Sequence, residues 1–270
     1  KIIKLFLLKL YIKKILENVR NLCLKINNKF LRIKLNFFKL VNKKFVKSTY
    51  GVHLKANYDD VTFKLCVLGC YGDFYFKSLN NINEEFVFID IGANQGLFSI
   101  IASKNSKNVR SYAFEPVPKT FSLLQENVKF NRLAKKCFPI NKAISNRVGA
   151  NKIFIPKNHS GAATLASQNI LYGNSDFSVE ITSIDALGLN KIINAENYPI
   201  YVKVDVEGYE QTVIEELIKC NFFKNVEEIF FEVDYDWIYL ETIKDILSKQ
   251  GFKLFKKIGT GNHFDILASK

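Results

Sequence analysis

Three carboxylates stand where apolar runs end. Asp205 and Glu207 follow Tyr201 to Val204 in YVKVDVEGYE, two residues apart, and Glu232 comes near the close of IFFEVD. A carboxylate held beside a hydroxyl can take its proton as that oxygen attacks an electrophile. In a continuing strand Asp205 and Glu207 would share one face, but Gly208 permits a turn that redirects one of them. His159, in the loop HSGAATL, is a further candidate base, and Glu210 stands behind these. Plainer roles compete: a carboxylate can cap the next helix or pair with a lysine, and His53 and His263 read as surface or packing residues. A divalent ion held through oxygen by Asp205, Glu207 and Glu232 is conceivable. No metal is expected, however, and zinc least of all, since the five Cys (23, 66, 70, 137, 220) form no C-x-x-C pair and the three His are scattered.

A second constellation lies earlier. The run FVFIDIGANQG places Asp90, Gly92, Asn94 and Gly96 at and after a strand end, and Glu115 ends the next apolar run 25 residues on. A dinucleotide needs a G-x-G-x-x-G turn so that backbone N–H groups approach a pyrophosphate. The turn here lacks that spacing, and a carboxylate as near as Asp90 would repel phosphate. S-adenosylmethionine carries no phosphate; it has a sulfonium, an amino group and a ribose diol. Acids favour its positive charges, glycines let the backbone come close, and Glu115 is placed to accept from the ribose hydroxyls. The expected cofactor is therefore S-adenosylmethionine. A nicotinamide-dependent oxidoreductase is the alternative, and a catalytically silent binding module the third possibility.

These residues need a scaffold that brings strand ends together. Phe86 to Ile91 is a continuous apolar run, as expected of a buried parallel strand. Leu97 to Lys104 reads as helix, Val109 to Phe114 as strand, Pro118 to Arg132 as helix and Cys137 to Asn141 as strand. Tyr201 to Val206, Glu210 to Cys220, Glu228 to Val233 and Trp237 to Gln250 continue the alternation. Phe252 to Lys256 and His263 to Ala268 close it as an antiparallel pair. Strands alternating with helices imply an α/β, doubly wound, mostly parallel sheet, whose ligands sit beyond the carboxyl ends of the strands. Before it, Val61, Phe63, Leu65 and Val67, then Tyr71, Phe74 and Phe76, alternate as short strands or a strand-and-helix lead-in. Residues 146–197 read as an inserted hairpin and loop over the ligand edge, the expected substrate region.

Charge divides the chain in two. Fourteen of the 39 Lys and Arg, and one of the 26 acids, fall in residues 1–50, so the net +13 belongs to that segment and the rest balances to zero. A neutral body gives no reason to expect nucleic acid. Residues 1–50 read as a basic, helical extension, and 51–270 as the catalytic domain. The longest apolar run near the start, Leu5 to Leu8, is too short for a membrane span. Residues 1–47 either pack on the body or lie on an anionic membrane with lysine stems extended along it. Unpaired cysteines suggest a reducing, cytoplasmic setting, with peripheral membrane contact as an option.

FIDIGANQGLFSIIA, YAFEPVPKTFSLLQENVKFN, NKAISNRVG, VEITSIDAL, YVKVDVEGYEQTVIEEL and IFFEVD, in this order over about residues 58–268, resemble the FkbM family of S-adenosylmethionine-dependent methyltransferases. The resemblance implies a Rossmann-like sheet of seven strands with the last antiparallel. It also implies O-methylation of a sugar, a glycan or another hydroxylated acceptor. Its motif positions point to Asp90, Gly92, Asn94, Gly96 and Glu115 for cofactor contact. The chain departs from the family pattern at Tyr209, where a smaller residue is common.

Overall fold

The computed structural model describes residues 29–165, 175–183, 187–188, 191, 198–234 and 240–270. The chain divides into two units, Lys1–Val46 and Lys47–Lys270. In the first, residues 29–40 are helical, while the expected helix earlier in the extension lies outside the described residues.

In the second unit a short strand at His53–Lys55 is followed by two helices, where the alternating pattern suggested short strands or a strand-and-helix lead-in. Helix α1 (Val61–Leu68) starts at Asp60, whose side chain accepts from the Phe63 N–H at 2.7 Å, and stops at Gly69 in the left-handed region. It buries Phe63, Cys66, Val67 and Leu68 and leaves Val61 exposed, so a helical period underlies the apparent alternation. Helix α2 (Asp73–Asn80) buries Tyr75 and Leu79, four residues apart, while Phe74 and Phe76 are half-buried. Capping and turn signals therefore outweighed short-range alternation.

From there the expected alternation appears. Strand β1 (Phe86–Ile91) is buried along its whole length; α3 (Leu97–Lys104), β2 (Asn108–Phe114), α4 (Pro118–Phe130) and β3 (Cys137–Ile140) follow. The middle of the chain adds β4 (Ala143–Ile144), β5 (Gly149–Ile155) and β6 (Ser175–Thr182). Then come β7 (Ile200–Val204), α5 (Glu210–Ile218), β8 (Val226–Asp234), α6 (Leu240–Lys249), β9 (Leu254–Ile258) and β10 (His263–Ser269). Of the helix expected from Trp237, residues 237–239 lie outside the described residues.

The seven-stranded sheet runs β9-β10-β8-β7-β1-β2-β3, and β10 alone is antiparallel to its neighbours. This is the Rossmann-like methyltransferase arrangement, with the chain-terminal strand slotted between β8 and β9. Chain order reverses between β1 and β7, which makes their carboxyl ends the switch point. Of the expected inserted region, residues 166–174, 184–186, 189–190 and 192–197 lie outside the described residues; within the rest, β6 pairs antiparallel with β5 and also runs parallel to β4, as a three-stranded sheet. Val117, Ala143, Ile153, Val179 and Ile181 form its small core.

Candidate active site

Strand β1 ends in a turn made of left-handed residues: Gly92 at φ 81°, Asn94 at 50° and Gly96 at 86°. The glycines serve the protein as well as any ligand. A Cβ at Gly92 would stand 1.8 Å from the Asp205 carbonyl oxygen, so the β1 turn and the end of β7 touch backbone to backbone. At Gly96 it would meet the Leu124 side chain of α4 at 2.4 Å. The turn is then tied to β2. Glu115, 5% exposed, accepts from the Asn94 N–H through Oε2 (2.9 Å) and from the Val117 N–H through Oε1 (2.8 Å). Burial pushes Glu115 up to about 7, against the pull of those two N–H donors. Each oxygen keeps a lone pair for a further donor. The Asn94 amide in turn donates to Ser160 Oγ at 3.1 Å, which brings in the HSGAATL loop.

Beneath the turn lies a buried charge triad. Asp90 on β1 and Lys203 on β7 are register partners, which puts both side chains on one face. Lys203 Nζ sits 2.9 Å from Asp205 Oδ2 and 3.8 Å from Asp90 Oδ1; Ser99 Oγ donates to Asp90 Oδ2 at 2.5 Å. Burial pushes the Lys203 ammonium down, but the Asp205 and Asp90 carboxylates outweigh it and hold the group up at about 12. Tyr71 completes the arrangement by donating its hydroxyl to Asp205 Oδ2 at 2.6 Å. Asp90 thus lies under the site, walling neither of the cavities described next, and steadies Lys203.

Past Asp205 the chain turns sharply. Glu207 takes φ 54°, a strained conformation of the kind that collects at functional sites, and Gly208 follows at φ 96°, which glycine adopts without strain. Glu210, fully buried, holds the turn by accepting from the Val206 and Gly208 N–H groups, both at 3.0 Å. It is a clasp of the turn and not a reactant. Thr164 Oγ1 donates to the Glu207 carbonyl at 2.6 Å, so the HSGAATL loop is fastened here too.

Two adjoining cavities meet at Gly92, Gly161 and Asp205. The narrow one, about 50 Å³, has Glu115, Ile144 and Tyr209 in its walls. The larger, about 430 Å³, is faced by Asp205, Glu207, Glu232, His159 and His263. Carboxylate oxygens of Asp205, Glu207 and Glu232 all lie within 4.8 Å of one another. Burial, then mutual repulsion, holds Glu207 and Glu232 above the ordinary carboxylate range. His263, expected as a surface or packing residue, is largely exposed and yet belongs to the site. Its Nε2 is 2.9 Å from Glu232 Oε1, and that bond raises the imidazole to about 9. His53, by contrast, does pack, its ring against Phe130 at 5.4 Å.

Sequence reasoning thus missed Tyr71, Lys203 and His263. Lys203 had a signal, since K-x-D on a strand puts both charges on one face; Tyr71 arrives from the bend between α1 and α2 and His263 from β10, both remote in sequence.

Buried acids make folding stability pH-dependent. Glu115 at about 7, Glu210 at about 8 and Asp265 at about 7 are all raised primarily by burial, from unfolded values of about 4. Between the two values the folded chain keeps protons that the unfolded chain has released, so stability falls as pH rises. His263 acts in the same sense, its contribution disappearing as pH passes about 9. Urea unfolding of the ligand-free protein should show lower stability at pH 8 than at pH 5; the opposite slope would contradict these environments.

The site fits a cationic cofactor free of phosphate. Carboxylates crowd the larger cavity, and the lysines at hand are engaged, Lys203 by two aspartates and Lys142 of the narrow cavity by Glu180. The family model described as the methyltransferase FkbM domain matches residues 90–254. No curated protein matches the chain. Among solved structures, precorrin-6y C5,15-methyltransferase from Geobacter metallireducens is 13% identical at a TM-score of 0.40, covering 73% of this chain and 86% of that one. TrmK of M. capricolum, solved with S-adenosyl-homocysteine, is 14% identical at 0.44, covering 73% and 68%. TYW2 of M. jannaschii, solved with AdoMet, is 18% identical at 0.42, covering 82% of each chain. With the family model matched over more than half of its length, the chain belongs to the FkbM family of S-adenosylmethionine-dependent methyltransferases.

Proposed function

We propose that the protein methylates a hydroxyl of a saccharide or another small hydroxylated molecule. The observation that carries this reading is Asp205, set where the two cavities meet, with Oδ2 bonded to Lys203 and Tyr71 and Oδ1 left for an acceptor. When bound, S-adenosylmethionine supplies an electrophilic methyl group on a sulfonium. Glu115 on the narrow cavity, Asn94 on the larger one and Gly92 where the two meet would hold it, with Gly96 shaping the turn and Asp90 steadying the strand end below. In-line displacement draws most of its acceleration from placement, so the residues around the acceptor mainly orient it. Asp205 Oδ1 receives the hydroxyl proton. His159, on the same cavity, and Glu207, inclined to its protonated form, offer hydrogen bonds to neighbouring hydroxyls. Glu232 is held by His263 and shapes the wall.

Incubation with isotopically labelled cofactor and a panel of glycans and hydroxylated small molecules, read by mass spectrometry, tests the reading. Label on a sugar hydroxyl supports it; label only on nitrogen, carbon or nucleic acid overturns it. Glu115→Ala should weaken S-adenosylhomocysteine binding tenfold or more, since a bond to a charged acceptor contributes about 1.5–3 kcal/mol. Calorimetric titration checks this, and unchanged affinity would remove Glu115 from the ribose.

The basic extension supports peripheral membrane contact from a cytoplasmic position. Phe30, Ile33, Phe37 and Leu40, at helical spacing in residues 29–40, are 57–84% exposed amid Lys and Arg. No helix among the described residues is long and apolar enough to cross a membrane. Vesicles containing phosphatidylserine should recruit the protein at low salt and release it at high salt. Recruitment that survives deletion of residues 1–47 would end the idea.

A further inference from the structure

A third cavity, of about 410 Å³, opens at the N-terminus of α4, between that helix and the segment following β5. Its chemistry differs from that of the acid-lined cavities. Helix α4 runs for 13 residues from Pro118, and neither a capping side chain nor an acid occupies its first turn. The Val117 N–H is taken by Glu115, and Pro118 has none to offer. The N–H groups of Lys119 and Thr120 therefore carry the positive end of the helix dipole.

The observation that points to a ligand is Thr120. It is 5% exposed, lines this cavity, and its hydroxyl has no hydrogen-bond partner among the described residues. The residue is packed in place while its hydroxyl stays open to the cavity, so a molecule entering there can bond to it without displacing any protein partner. Lys119 and Lys157, both exposed, reach the same cavity, and neither has a carboxylate partner among the described residues. Asp60 also lines it, but its carboxylate is turned to the Phe63 and Ser160 N–H groups, the Ser160 hydroxyl and the Gln95 amide. Two ammonium groups, two backbone donors and a free hydroxyl make an anion's surroundings. Ile155, Pro156 and Leu123 add apolar wall for the body of a larger molecule.

We propose that this cavity is a subsite for a phosphate ester, carried by the methyl acceptor. The link to the acceptor rests on the methyl-transfer reading above and on His159, which lines both this cavity and the large acidic one. The anion site itself needs no methyl transfer.

Calorimetric titration of the full chain with inorganic phosphate, glucose and glucose 6-phosphate separates the two parts. Saturable phosphate binding is expected, with glucose 6-phosphate tighter and glucose undetected. Thr120→Val and Lys157→Gln should each weaken both phosphate ligands about tenfold, the loss expected for one charge-assisted hydrogen bond. Lys157 is exposed, so its variant keeps the test valid should the Thr120 variant unfold. Absence of saturable phosphate binding, or binding that both variants leave unchanged, overturns the anion site. Glucose 6-phosphate that binds no tighter than inorganic phosphate overturns the link to the acceptor while leaving the anion site standing. Neither measurement depends on turnover, so a failed methylation assay would not disturb it.

Discussion

Gly92→Ala should abolish cofactor binding and cost more than about 3 kcal/mol of folding stability. Two penalties add. At φ 81° an alanine is strained by about 1–2 kcal/mol. In addition its Cβ would lie 1.8 Å from the Asp205 carbonyl oxygen, and no rotation of a side chain can relieve a collision with backbone. The strand ends must part, carrying Asp205 away from the cavities it joins. Gly261→Ala is the matched control: φ 85°, with nothing within 4 Å of the new Cβ, so it bears the conformational penalty alone. Thermal unfolding of both variants, with S-adenosylhomocysteine titration of whichever folds, measures the difference. Equal stability losses would mean that β1 and β7 do not approach as described.

How much of this could be read from the sequence depends on how local each signal is. The strand-and-helix order from Phe86 onward was legible because each element carries its own signal: a fully apolar run for β1, Pro at the start of α4, glycines at the turn after β1. The lead-in left short strands and a strand-and-helix entry both open because Val61, Phe63, Leu65 and Val67 satisfy a period of two over so short a stretch. Their helix is set by Asp60 and Gly69 at its ends. The carboxylates of the site stood out at strand ends, since topology alone sends those ends to one edge. What holds them did not stand out. Tyr71 reaches Asp205 across 134 residues, and His263 reaches Glu232 because the last strand is slotted antiparallel beside β8. Such contacts follow from strand order, which no local pattern encodes. Asp90 shows the converse: its position in the motif was plain, but only the register with Lys203 reveals that it faces a buried ammonium.

That buried ammonium gives the second large effect. Lys203→Met should destabilise the protein by about 3–5 kcal/mol at pH 8, the usual cost of removing one partner from a buried ion pair. Asp90 Oδ1 has no hydrogen bond, and the Lys203 ammonium at 3.8 Å is its nearest compensating charge among the described residues. Burial already raises Asp90, and Lys203 opposes that rise. Without the lysine the carboxyl climbs further and the folded chain holds its proton to higher pH. The unfolded chain releases that proton equally in both proteins, so the defect grows as pH rises above the point where wild-type Asp90 ionises in the folded state, itself raised by burial, and shrinks below it. Denaturant unfolding at pH 5 and pH 8 should show the larger loss at pH 8. Adding Asp90→Asn to the lysine variant should recover part of that loss, because the charge left stranded is then gone, and the double-mutant cycle isolates the pair. Methyl transfer would not recover with it, since Asp205 still lacks the ammonium bonded to its Oδ2 at 2.9 Å. A Lys203→Met protein within about 1 kcal/mol of wild type at both pH values would show that the three charges do not form a buried unit.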